Sequence, residues 1–139
     1  MYLVDTNVWV ELLLEQEKAK EVRRFLEKID PRLLYMTEFT LYSINIVLVR
    51  LKKMELLRRF VRDTIPNISL VRLFPEDLDR VLQIVEGYNL DFDDAYQYAA
   101  TEKYDLTLVS FDSDFDRTER GRMTPAEVLS RCVGHEDNI

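Results

Sequence analysis

Four short apolar runs limit what this chain can fold into: YLV at 2–4, LLYM at 33–36, ISLVRL at 68–73 and LTLVS at 106–110. Each has the length and composition of a buried strand, and the segments between them carry apolar residues at helical spacing. Strands alternating with helices imply a parallel sheet covered on both faces. The expected fold is α/β, a three-layer α/β/α sandwich around a central, mostly parallel sheet. At 139 residues the chain is sized for one domain over 1–139, and three glycines and four prolines leave little for long linkers.

The helical segments can be placed individually. TNVWVELLLEQ follows the first run. KAKEVRRFLEKI sets Val22, Phe25, Leu26 and Ile29 on one side, and Pro31 ends it. Thr37 is suited to cap a helix from about Glu38. PEDLDRVLQIVEGY has Pro75 for its first turn and Gly87 near its end. FDDAYQYAATEKY reads as a helix capped by Asp91, and PAEVLSRC as a last short helix. Between Phe39 and Val61 the apolar residues, Leu41, Tyr42, Ile44, Ile46, Val47 and Leu48 among them, are too many for one helix face. Such a surface is expected to be covered, and a homodimer would cover it.

Composition narrows the chemistry. MYLVDTN lacks the pattern of a secretory signal, and no apolar run approaches bilayer-spanning length, so a cytoplasmic protein with no membrane association is expected. A lone cysteine, Cys132, excludes an intrachain disulfide and a cysteine-rich zinc site, and the single histidine, His135, sits in a polar C-terminus as an exposed tail residue. Carboxylates remain as the reactive groups. The net charge of −7 weighs against binding nucleic acid by general attraction, although a cation held among aspartates would offset part of it.

In open parallel sheets, sites form beyond the carboxyl ends of strands. Asp5 closes the first run and Asp112 stands two residues after LTLVS, while Asp93 and Asp94 open a helix whose N-terminus belongs on the same rim. Carboxylates so gathered need a cation or raised pKa values. Mg²⁺ or Mn²⁺ takes a few carboxylates plus water, which suggests metal-assisted hydrolysis of a phosphate ester. Singly, Asp93 and Asp94 could serve the helix dipole, and Asp112, Asp114 and Asp116 could be turn formers. Asp5, which gains little from its position, favours a site.

These residues also carry a family resemblance. YLVDTNVWVELL resembles the N-terminal motif of PIN-domain proteins, and LDFDDAYQYAATEKYDLTLVSFDSDF is similar to their C-terminal acidic motifs. The family includes the VapC ribonuclease toxins of VapBC toxin–antitoxin modules, whose acids bind Mg²⁺ or Mn²⁺ and cut RNA. The resemblance implies Asp5, Asp94 and Asp112 as metal ligands, Asp114 as an assisting catalytic acid, and Asn7 and Ser110 as groups orienting Asp5 and Asp112. It also implies an RNA substrate and a small antitoxin partner. The family's second acid, a glutamate, is met here by Ser43. Glu38 is the available substitute, but it lies roughly 140° around the helix from position 43, so it would serve only from before the helix proper.

Arg117, Arg120 and Arg122 follow the acidic cluster and are candidates for RNA phosphates, whereas Arg50, Lys52, Lys53, Arg58, Arg59 and Arg62 read more readily as a solvated face. Two other readings stand beside the nuclease. One is a PIN-like module that binds RNA or protein with weakened catalysis, favoured by Ser43. The other is a haloacid-dehalogenase-like phosphatase, which DTN fits poorly because it lacks a second aspartate two residues on.

Overall fold

The computed structural model describes residues 1–137, with side chains through Cys132, so His135 lies outside the described side chains. Four strands, β1 (Tyr2–Val4), β2 (Leu34–Thr37), β3 (Ser69–Val71) and β4 (Thr107–Val109), form one sheet in the order β3-β2-β1-β4. All three pairings are parallel. The helices are α1 (Thr6–Leu13), α2 (Ala19–Lys28), α3 (Glu38–Arg50), α4 (Met54–Asp63), α5 (Leu78–Tyr88), α6 (Phe92–Tyr104) and α7 (Pro125–Asp137).

Alternation along each strand builds two cores. Val4, Met36 and Val109 face one side, where they meet Val8, Trp9, Phe25, Ile44, Leu48 and Phe60 from α1 to α4. Leu3 and Leu108 face the other, against Val81 and Ile84 of α5 and Ala95, Tyr98 and Ala99 of α6. Both faces of β1, β2 and β4 are thereby covered, whereas edge strand β3 leaves Ser69 and Leu70 exposed, and the three-layer architecture follows. Partly buried Cys132 packs against the first core.

Winding fixes where a site can form. From β1 to β2 to β3 the chain steps one way across the sheet, with α1 to α4 on one face; it then crosses by α5 and α6 to reach β4 on the far side of β1. Right-handed crossovers that reverse direction must change faces. The reversal opens a crevice beyond the carboxyl ends of β1 and β4. There Asp5 continues the ladder, its backbone N–H donating to the Val109 carbonyl at 2.9 Å.

Several boundaries differ from the sequence expectations. Leu33 belongs to a 3₁₀ turn at Pro31–Leu33, so β2 begins one residue later. β3 keeps only three residues of ISLVRL. The apolar stretch from Phe39 to Val61 is two helices, broken at Leu51–Lys53 where Lys52 has φ 58°. Helix α5 ends on left-handed Asn89 with Gly87 inside it, and Pro75–Asp77 form a 3₁₀ turn before it. Asp91 is the N-cap of α6 by backbone conformation, but its side chain makes no capping bond. Helix α7 is longer than PAEVLSRC.

Candidate active site

Asp5 leaves β1 as the N-cap of α1, and this places its carboxylate at the floor of the crevice, 4% exposed. Four donors meet it. Oδ1 accepts the Thr6 amide N–H at 2.8 Å and Gln97 Nε2 at 2.9 Å; Oδ2 accepts the Ser110 hydroxyl at 2.8 Å and Asn7 Nδ2 at 3.3 Å. Burial raises its pKa above the usual carboxylate value, and the bonds from Gln97, Ser110 and Thr6 partly offset that rise. Asn7 also donates to Ser110 Oγ and accepts the Phe111 N–H, so it ties the end of β1 to the end of β4.

Asp94 projects from the first turn of α6 and Asp112 from the loop after β4. Asp94, Asp112 and Asp114 each bring one carboxylate oxygen within 4.8 Å of the others, and Asp91, Asp93 and Asp94 do the same. Asp94, common to both groups, has its pKa pushed up to about 7, first by desolvation and then by the charges of Asp93, Asp112 and Asp5. Asp112 is held from both sides: its N–H donates to Ser110 Oγ at 3.0 Å, and its Oδ1 accepts the Asp114 N–H at 2.9 Å.

Asp5, Asp91, Asp93, Asp94 and Asp112 line a cleft of about 420 Å³. Asp114 is exposed beside it, 3.4 Å from Arg117 Nη2. Ser43, where the resemblance expects a glutamate, lines the same cleft. Glu38 is the first residue of α3, inside the helix proper, and its carboxylate lies 3.9 Å from Arg72. The structure does not bring Glu38 to the acids.

The three candidate arginines are spread out. Arg117 stays beside Asp114, to whose carbonyl its Nε also donates. Arg120 reaches Asp105 and the Leu106 carbonyl, at the opposite end of β4 from the acids. Arg122 pairs with Asp116 and donates to the Ser110 carbonyl at 3.2 Å, bracing the acidic loop from behind. Arg58 and Arg62 pair with Glu55 and Asp63 on the exposed side of α4.

Gln97 was not among the residues singled out from sequence. It is 2% exposed, accepts the Thr37 hydroxyl at 2.7 Å, and donates to Thr40 Oγ1 at 2.8 Å as well as to Asp5. Thr40 in turn bonds Thr6 at 2.8 Å. Thr37 caps α3 by accepting the Thr40 N–H, as expected. One signal pointed to Gln97: it follows Asp94 by three residues and so shares its helix face. Gln97→Leu is expected to lower stability by about 1–3 kcal/mol in urea denaturation, because it removes an acceptor from Thr37 and a donor from buried Asp5.

A divalent ion suits the donor set. Every candidate ligand is a hard oxygen, and three carboxylates gather within 4.8 Å of one another around Asp94. Comparison with known proteins decides the family, because the PIN domain model matches residues 2–121. The chain belongs to the PIN-domain family. This PIN domain is similar in structure to a chain of a toxin–antitoxin complex from Klebsiella pneumoniae, with TM-score 0.72 and 23% identity over 90% of this chain and 98% of that one. FitAcB from Neisseria gonorrhoeae matches with TM-score 0.78 and 20% identity over 91% and 99% of the two chains. VapC20 of Mycobacterium tuberculosis, a toxin that cleaves the sarcin–ricin loop, matches with TM-score 0.71 and 16% identity over 84% and 93%. At these identities the likeness is one of fold. No curated protein sequence matches the chain. Family membership sets the phosphatase reading aside.

Proposed function

We propose that this PIN domain is a divalent-metal-dependent endoribonuclease of the VapC toxin type. The observation that carries the reading is the meeting of Asp94, Asp112 and Asp114 within 4.8 Å over buried Asp5, at the point where the sheet reverses its winding. Asp94 and Asp112 would hold Mg²⁺ or Mn²⁺, with Asp114 beside them. Buried Asp5 would be the third ligand. When bound, the ion stabilises charge on a phosphoryl oxygen and acidifies water. Asn7 and Ser110 keep Asp5 and Asp112 in register, and Asp94 would have to be ionised to hold the ion. Cleavage of a fluorescent single-stranded RNA in Mn²⁺ or Mg²⁺, and its absence in EDTA, is the expected result; no cleavage in either metal would defeat the proposal.

Ser43 favours one other reading, a PIN fold that binds RNA or protein without cutting. It predicts RNA retention with no metal dependence.

The structural relatives include a toxin–antitoxin complex, which supports a small antitoxin partner for this chain, and the proposed RNA substrate goes with a cytoplasmic location. Among the described residues no helix is long and apolar enough to cross a membrane. The outward face of α3 supports a homodimer: Tyr42, Ile46 and Val49, spaced one and two turns apart, are 58%, 51% and 50% exposed. Sedimentation at micromolar concentration should show a dimer that Ile46→Glu converts to monomer.

A further inference from the structure

Five aspartates line the cleft and, among the described residues, no lysine or arginine does. Affinity for a polyanion ordinarily comes from phosphates meeting cationic side chains. Here the walls repel phosphate wherever an ion is not between, so binding has to draw on an uncharged part of the nucleotide as well.

An aromatic group adjoins the cleft through Phe39. Phe39, on the cleft wall, stacks on Tyr96 with ring centroids 5.1 Å apart and planes 30° apart. Phe92 tilts against both rings at 6.4 Å. Tyr96 is anchored through its hydroxyl, which accepts the Leu73 N–H at 2.9 Å. Phe92 is 45% exposed, yet it sits between Asp91 and Asp93, which both line the cleft. As the first residue of α6 it has no capping role. Its ring is an apolar, π-bearing surface flanked in sequence by two carboxylates, neighbours that discourage phosphate and leave a neutral base face acceptable.

We propose that the Phe92 ring, backed by Phe39 and Tyr96, stacks a base of single-stranded RNA beside the acidic cleft. This inference rests on the nuclease reading and adds to it where the strand lies: one base on Phe92, its phosphodiester toward Asp94 and Asp112. Stacking of this kind tolerates any base, and losing it costs about 5- to 150-fold in affinity. The preference that results is for unpaired over double-stranded RNA, because a paired base has no free face to offer.

The test compares wild type, Phe92→Ala and Phe92→Trp. In Mn²⁺, Phe92→Ala should raise KM for a single-stranded oligonucleotide about tenfold with kcat nearly unchanged, and Phe92→Trp should restore KM. In an Asp112→Asn background, which separates binding from turnover, the indole at position 92 should be quenched by the same RNA, above a fixed signal from fully buried Trp9. A Phe92→Ala protein with unchanged KM and only a lower melting temperature would overturn the proposal, making the ring a cover for Phe39 and Tyr96. If wild type never cleaves but RNA still quenches the indole and Phe92→Ala loses binding, stacking stands and the nuclease reading falls. If wild type neither cleaves nor binds RNA, both fall.

Discussion

Asp112→Asn and, separately, Asp94→Asn should each lower Mn²⁺-dependent cleavage of single-stranded RNA by more than about 100-fold, since even partners one bond removed from a metal commonly cost 10–100-fold. The fold should survive both changes. Asp112 accepts the Asp114 N–H through Oδ1, and an asparagine carbonyl can accept it equally. Asp94 is crowded by Asp93, Asp112 and Asp5, so neutralising it relieves repulsion. Circular dichroism on the same preparations checks the fold, and full cleavage by either variant would remove these aspartates from the mechanism.

Asp5 is a different case, although the sequence presents all three as one set. Its two oxygens accept four donors. An asparagine amide there turns a donor toward Gln97 and Thr6 or toward Ser110 and Asn7, and a buried polar group left without its partner costs about 1–3 kcal/mol. Asp5→Asn therefore mixes a loss of charge with a loss of structure, and it is the weaker probe of catalysis.

What could be read without coordinates follows from how local each signal is. Asp5, Asp94 and Asp112 were legible because each stands at the end of an apolar run or in a first helical turn, and strand order does the rest. The polar network was not: Gln97 meets Asp5 across 92 residues, Thr37 across 60 and Thr40 across 57. No local pattern encodes such partners. The break between α3 and α4 was hidden for another reason. Lys52 takes a left-handed conformation that glycine or asparagine would have announced. The arginines after the acids look grouped in sequence, but the turn at Ser113–Arg117 and the loop beyond it send Arg120 to the far end of β4.

Metal should change both the melting temperature and its dependence on pH. Asp94 and Asp5 have pKa values raised in the folded protein above an ordinary 3.8, Asp94 to about 7. Between those limits the folded state holds more protons than the unfolded chain, so stability from these groups falls as pH rises. Asp30, Asp63 and Asp77, whose pKa values are lowered by Arg32, Arg62 and Lys103, act in the opposite sense but only below 3.8. Metal-free protein should therefore melt at a higher temperature at pH 5 than at pH 8, and Asp94→Asn should flatten that slope. A divalent ion binds the ionised carboxylates, so its stabilisation grows over the same interval. At a hundred times its dissociation constant it contributes about 2.7 kcal/mol, which corresponds to a rise on the order of 10 °C for a chain of this size. Scans in EDTA and in Mn²⁺ at the two pH values read both effects. Curves unchanged by Mn²⁺ would mean that the aspartates are helix-end and turn residues, and would move the protein from the nuclease to the binding-module reading.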